Sequence, residues 1–209
     1  MYIIDIGANV GWYSLLYGKF GFKVISFEAS KINNYILKKN YCLNKEINLT
    51  IINKGLYDEE KKCDLYNSYW NEGNGMIICD KNTTIPQFHT KNKLGQMVLT
   101  KLSNYIPFLS DKNVVFIKMD IEGAEGKALE GGIELITKYH VPFIFLEFTY
   151  DSLRLHGTDP RKFLQLFFDN GYKIGLFDFF EKNSYTIEEI IKKAGGLKNL
   201  FIFYSKILD

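Results

Sequence analysis

The sequence predicts a Rossmann-like α/β domain whose mostly parallel seven-stranded sheet is flanked by helices. Three observations predict it. Short apolar runs alternate with helical stretches along the whole chain, a glycine turn joins the first run to the first helix, and an acid stands directly after the second run. With 209 residues and 46% hydrophobic composition, the chain has the length and apolar content of one domain with a real core. No internal repeat or linker divides it, so a single domain over 1–209 is expected.

Tyr2–Ile6 reads as the first strand and Val10 to about Tyr17 as the first helix. Lys23–Phe27 is the second strand, Ile32–Leu43 the next helix and Leu49–Ile52 the third strand. From Asp58 to Leu94 the chain turns polar, rich in Asn and Lys, with Gly73, Gly75 and Pro86. It reads as an irregular substrate-side insertion holding short antiparallel pieces at Cys63–Tyr66 and Met76–Cys79. Regularity returns with a strand at Val114–Asp120, a helix over about Glu125–Tyr139 and a strand at Phe143–Phe148. Asp159-Pro160 opens a helix to about Asn170, with Pro at the first helical position and Gly171 beyond the end. Tyr172–Phe177 and Leu200–Ser205 form a final hairpin-like pair of strands around a helix near Ile187–Ala194.

Composition narrows the function. Aromatics reach 16%, mainly 17 Phe and 14 Tyr, which fits a stacking surface for sugars or bases. It fits plain compositional bias better, because many of these rings lie inside the strand-like runs. A net charge of +2 argues against a dedicated nucleic-acid binder. Lys38-Lys39, Lys61-Lys62, Lys91 and Lys93 read as solvated loop positions. Cys42, Cys63 and Cys79 match no zinc pattern and no disulfide framework, so a reducing, cytoplasmic setting is expected. No signal peptide precedes the first strand, and no apolar run approaches the ~20 residues of a membrane span.

The strongest chemical signal is Asp5-Ile6-Gly7-Ala8-Asn9-Val10-Gly11 at the first strand-to-helix turn. Gly7 supplies a backbone shape closed to other residues and lets a ligand approach, and Gly11 lets the helix start come close. Dinucleotide enzymes place Gly-x-Gly-x-x-Gly here to seat a pyrophosphate. Here an acid, Asp5, stands ahead of the glycines instead, and an acidic loop suits the ammonium of S-adenosylmethionine better than a pyrophosphate. The spacing therefore favours S-adenosylmethionine over NAD. Glu28, about 20 residues beyond the turn, is placed to accept hydrogen bonds from ribose hydroxyls. The plainer alternative is a tight turn and a helix-capping acid.

Further along, Lys118-Met119-Asp120-Ile121-Glu122-Gly123-Ala124-Glu125 puts Lys118 and Asp120 on one strand face, with Asp120 at the carboxyl end. Ligands of open α/β sheets bind there, so Asp120 and Glu122 should share the crevice with Gly7. The alternative is a Lys118–Asp120 ion pair with Glu122 and Glu125 favouring a helix start.

Taken together, DIGANVGWYS at Asp5–Ser14, Phe27-Glu28, KMDIEGAE at Lys118–Glu125 and Leu146-Glu147-Phe148 resemble the FkbM family of methyltransferases, in the same order over most of the chain. The resemblance implies the methyltransferase form of the Rossmann-like fold, S-adenosylmethionine as donor, and a hydroxyl acceptor on a sugar or other small molecule. It also implies that Asp5, Gly7, Ala8, Asn9 and Gly11 receive the cofactor, that Phe27 and Ala29 flank the adenosine, and that Asn53-Lys54-Gly55-Leu56 lies near the adenine.

Deprotonating a hydroxyl needs a base within hydrogen-bond reach. Asp120, Glu122, Glu147 and His156 are the candidates, with Lys118 beside Asp120 lowering its basicity. His156 reads more simply as a loop residue, and His89 and His140 carry no motif. Trp12 and Tyr13 open the first helix and read first as core packing, with contact to the cofactor as the alternative. Three carboxylates at one crevice also fit Mg²⁺, which is not favoured, and no residue is assigned to a metal. Because the motif begins at residue 5, the expected cover for the cofactor is either a subunit partner, such as a second copy of the chain, or further residues ahead of it. An RNA ribose 2'-O-methyltransferase would need a basic, aromatic track that does not stand out. The intact Gly7 turn, Glu28 and Asp120 argue against a non-catalytic binding subunit.

Overall fold

Strands buried on both faces read as continuous apolar runs. That is how β1 (Tyr2–Ile6), β2 (Lys23–Phe27) and β8 (Val114–Met119) enter the middle of the main sheet. The computed structural model describes residues 1–68, 71–79, 92–109, 111–181, 185–194 and 196–207; Pro86, His89 and Lys91 lie outside them. With β3 (Leu49–Ile52), β9 (Phe143–Thr149), β10 (Tyr172–Gly175) and β11 (Leu197–Tyr204), the sheet runs β10-β11-β9-β8-β1-β2-β3. The pairs β1–β2, β1–β8, β2–β3 and β8–β9 are parallel, whereas β11 is antiparallel to both β9 and β10. The sheet is therefore mixed at one edge, as the hairpin-like final pair requires.

Strand order reverses between β1 and β8: from β1 the chain moves out through β2 to β3, and from β8 it moves the opposite way through β9. At such a switch point the loops leave on opposite sides and open a crevice at the carboxyl ends.

Helices α1 (Trp12–Lys19) and α2 (Lys31–Cys42) cover the β1–β3 side, where Ala8, Val24, Leu37, Ile47 and Leu49 pack together. The larger core joins Ile4, Phe27, Ile117, Met119, Ile144 and Phe148 to residues of α4 (Glu125–Glu130), α5 (Glu134–Thr137), α7 (Pro160–Asp169) and α8 (Ile187–Lys193). Local chemistry sets several helix starts: Ser30 accepts from Asn33 N, Asp159 accepts from Arg161 N and Lys162 N before Pro160, and Thr186 forms a capping box with Glu189.

Three expectations need correction. The single helix over Glu125–Tyr139 is two short ones, α4 and α5, broken at Gly131-Gly132. A Cβ on Gly131 would stand 2.0 Å from Tyr57 O and one on Gly132 would stand 2.6 Å from Leu102 Cβ, so the chain must bend to pass them. A short helix α6 (Tyr150–Leu155) also follows β9, and the four-residue helix α3 (Ile106–Leu109) precedes β8.

The second correction concerns the insertion around 58–94. Among the described residues, β4 (Gly55–Leu56), β5 (Lys61–Ser68), β6 (Asn71–Ile78) and β7 (Asn92–Thr100) form a second sheet in the order β4-β7-β5-β6. The antiparallel pairing of β5 with β6 matches the expected pieces, but β7 extends well past residue 94. Its signal is a faint alternation: Cys63, Leu65, Met97 and Leu99 turn inward while Lys62, Gln96 and Val98 face solvent.

Third, Cys63 and Cys79 are joined in a disulfide across a separation of 16 residues, while Cys42 is free and exposed. Register explains what spacing could not show. Asp64 pairs with Ile78, so one step further the antiparallel ladder brings Cys63 opposite Cys79. Disulfides persist in oxidising surroundings, so the cysteines do not argue for a reducing compartment. Among the described residues no helix is long and apolar enough to cross a membrane.

Candidate functional site

The crevice at the switch point is built first by glycine. After β1 the chain turns through Gly7 (φ 79) and Asn9 (φ 51) to Gly11 (φ 95), which precedes α1. A Cβ on Gly7 would sit 1.9 Å from Asp120 O, so the turn is pressed against the end of β8 in a way only glycine permits. Gly7 N and Ala8 N donate to Phe27 O at 3.0 and 3.1 Å, binding the turn to the end of β2.

Glu28 follows β2 and is buried. One carboxylate oxygen accepts from Asn9 N at 2.8 Å and the other from Ser30 N at 2.7 Å, and each oxygen keeps acceptor capacity. Burial is the main cause raising Glu28 to about 6, against the opposing hydrogen bonds from Ser30 and Asn9. Across from it, Ala29 and Gly55 face each other so closely that a Cβ on Gly55 would stand 3.1 Å from Ala29 Cβ and 2.6 Å from Leu99 Cδ2.

A cavity of about 410 Å³ joins these parts. Gly7, Ala8, Asn9, Phe27, Glu28, Ala29 and Gly55 line one side, and Lys118, Asp120 and Glu122 the other. Not every residue singled out from the sequence reaches it. Gly11 is spent on packing, since a Cβ there would meet Leu37 Cδ1 at 2.2 Å. Asn53 stands behind the site, its Nδ2 donating to Glu28 O at 2.8 Å. Asp5 is fully buried beneath the turn. Ser14 Oγ donates to Asp5 Oδ2 at 2.5 Å, and Lys118 Nζ lies 3.6 Å from Asp5 Oδ1. Burial raises the Asp5 carboxyl, with Lys118 opposing.

The carboxylates cluster at the far end. Asp120, Glu122 and Glu147 each bring one oxygen within 4.8 Å of the others, the convergence that the sequence could not establish. Glu122 has φ 59, an unusual backbone for a non-glycine residue. Burial first, then the charge of Asp120, raises Glu122 to about 7. The same two causes, in the same order, raise Glu147 to about 8, although Glu147 stands behind the cavity lining. His156 is not part of the lining; it meets Tyr57 edge-on, and burial pushes it down to about 4.

Two groups of lining residues differ from the first reading of the sequence, one in its favoured role and one altogether. Trp12 and Tyr13, read first as core, are 72% and 41% exposed at the cavity, because α1 starts at its rim. The second sheet supplies a wall of Leu65, Gly75, Ile77, Leu94, Met97 and Leu99. The inward alternation of β5 and β7 was its available signal.

A nucleoside-sized cavity at the switch point of a seven-stranded mixed sheet, between a glycine turn and a buried acid, defines a Rossmann-like fold of the methyltransferase class. The methyltransferase FkbM domain matches residues 5–174, and the chain belongs to that family. In structure it is similar to the methyltransferase FkbM of Methylobacillus flagellatus KT, with a TM-score of 0.53 and 22% identity over 97% of this chain and 43% of that one. It is also similar to WbdD, with a TM-score of 0.52 and 8% identity over 97% of this chain and 35% of that one. A second WbdD structure, described as a bifunctional kinase-methyltransferase, gives 0.51 and 9% over 97% and 34%. This chain thus spans less than half of each of these structures, and the likeness shows the fold. No curated protein matches it.

Proposed function

We propose that the chain binds S-adenosylmethionine in this cavity and methylates a hydroxyl oxygen on a small-molecule or glycan acceptor. The observation carrying this reading is one continuous cavity with the Gly7–Asn9 turn and Glu28 at one end and Asp120 and Glu122 at the other. The residues fit such a donor. Its size lies within the ~300–1,000 Å³ of small-molecule sites. Glu28 keeps acceptor capacity for ribose hydroxyls, and Ala29, Gly55 and Leu99 add apolar lining on the same side of the cavity.

The Gly7–Asn9 turn and Glu28 would hold S-adenosylmethionine, which would supply an electrophilic sulfonium methyl to the acceptor oxygen, with sulfur as the leaving group keeping the C–S electron pair. Displacement of this kind is accelerated mainly by positioning. Glu122 is the base we assign, since it lines the cavity and, raised to about 7, takes up the hydroxyl proton near neutral pH. Glu147 stands behind Glu122 in the same carboxylate cluster, and Asp120 orients the acceptor.

Calorimetric titration with S-adenosylmethionine and, separately, NAD tests the donor. Saturable binding of S-adenosylmethionine that Glu28→Ala weakens at least tenfold is expected; binding of NAD in its place would overturn the reading. Turnover against a panel of sugar and phenol acceptors tests the chemistry. The rate should climb with pH through about 7, where Glu122 loses its proton, and level off above it. Glu122→Gln should remove that limb and lower turnover about 10²–10⁴-fold. Because the carboxylates are assigned to protons, turnover should survive chelation of divalent cations.

A further inference from the structure

Lys118 is buried at the carboxyl end of β8, between the two halves of the cavity. Its Nζ donates to Gly7 O at 3.0 Å, lies 3.6 Å from Asp5 Oδ1 on the donor side, and lies 3.5 Å from Asp120 Oδ2 on the acceptor side. An ammonium has three protons to give and accepts none. Here one proton goes to Gly7 O, and the Asp5 and Asp120 carboxylates flank the ammonium at ion-pair distance. Asp5 Oδ1, moreover, has no hydrogen-bond partner, so the nearby ammonium is what compensates this buried carboxylate.

We propose that Lys118 is a positioning residue whose ammonium ties the donor turn to the acceptor carboxylates and is their common counter-charge. This inference rests on the function proposed above for the same cavity. Lys118 acts through Gly7 and Asp120 rather than on the reacting atoms. Its field opposes the burial that raises Asp5 on β1, Glu28 after β2, Glu122 after β8 and Glu147 on β9. The other titratable groups at this crevice are Asp120, Glu125 at the start of α4, and Tyr13 and Tyr17 on α1, with Lys118 Nζ 5.5 Å from the Tyr13 ring centre.

Removing Lys118 alone strands the Asp5 charge, so Lys118→Met will fold poorly. The informative variant is Asp5→Asn/Lys118→Met, which deletes both buried charges together, with Lys118→Arg as the conservative control. Three readouts are needed: thermal stability, affinity for S-adenosylmethionine, and carboxyl titration by ¹³C NMR in the ligand-free protein. The titration does not depend on turnover, so it reports on Lys118 even if the donor or acceptor assignment fails.

The double variant should melt within a few degrees of wild type and bind the donor about tenfold more weakly, because Gly7 O has lost a charged donor. The Glu122 and Glu147 titrations should move up by about one unit, and the pH limb of turnover with them. Lys118→Arg should restore both titrations. A folded double variant with unmoved titrations would overturn the proposal and leave Lys118 a purely structural residue. Turnover abolished with titrations and donor affinity unchanged would also overturn it, by placing Lys118 in the reaction. No binding of S-adenosylmethionine by the wild type would sink the donor assignment, whereas the NMR arm would still decide the counter-charge.

Discussion

The main sheet and the small sheet reach the cavity by different means. The middle strands of the main sheet are apolar on both faces, and their carboxyl ends carry Gly7, Glu28, Lys118 and Asp120 into fixed mutual positions. The small sheet buries one face only, presents Lys62, Gln96 and Val98 to solvent, and is stapled by Cys63–Cys79. Its cavity face is apolar: Leu65, Ile77, Leu94, Met97 and Leu99 offer shape and no charge. The charged groups of the cavity thus sit on the two-sided frame, and its apolar wall sits on the one-sided sheet.

The hardest blow to that division is Gly7→Ala. The new Cβ would fall 1.9 Å from Asp120 O at a residue with φ 79, so β1 and β8 must separate at the switch point. A loss of about 3–5 kcal/mol by denaturant unfolding and disappearance of donor binding are expected. A variant that keeps wild-type stability and affinity would mean the turn is not clamped as described.

This contrast also explains what could be read in advance. The glycine turn, Glu28, Asp120 and the strands carrying them were legible because each has a local signature: an apolar run, then a turn residue or an acid at its carboxyl end. Asp5 and Asn53 were legible as important but not in their roles, since facing a ligand or facing Ser14 and the Glu28 carbonyl depends on side-chain direction. Of the small sheet only the antiparallel β5–β6 pair was legible, and β7 with its pairing to β4 and β5 was not. One-sided strands interrupted by Gly73, Gly75 and Gly95 carry little periodicity, and the Cys63–Cys79 bond follows from register alone. Trp12 and Tyr13 stayed open between core and cavity because an apolar helix start looks the same at a cavity rim as in a core.

Raising the pH should strain the frame and spare the small sheet. Glu125 is buried, and burial is the first cause lifting it from 4.5 to about 7; Glu28, Glu122 and Glu147 are lifted as well. The folded state therefore holds protons that the unfolded chain has released, and stability is greatest below the ordinary carboxylate range and falls as pH climbs. For Glu125 the rise corresponds to about 3 kcal/mol, lost between pH 4.5 and about 7. Glu125→Gln keeps an acceptor for Ile121 N while removing the charge, so the fall in melting temperature between pH 5 and pH 8 should flatten. An unchanged slope would show that Glu125 titrates normally.

Breaking the staple should do the reverse. Cys63→Ser/Cys79→Ser opens a loop spanning a separation of 16 residues, which costs about 2–3 kcal/mol by chain entropy. Hydrogen exchange should show amides of β5 and β6 losing protection while those of β1, β2 and β8 keep theirs. Loss spread evenly over both sheets would mean that they unfold as one unit, and the comparison would fail.

The smallest expected effect is the sharpest probe of where the frame ends. Asn53 lies outside the cavity and is exposed, yet its Nδ2 holds the backbone of Glu28 at 2.8 Å. A single neutral hydrogen bond contributes about 1 kcal/mol at most, so Asn53→Ala should lower the melting temperature by no more than about 2–4 °C and weaken donor binding less than about fivefold. Glu28→Ala removes the acceptor itself and should cost more. If Asn53→Ala instead equals Glu28→Ala in calorimetry, Asn53 touches the donor directly, and the loop after β3 belongs to the binding surface rather than to its support.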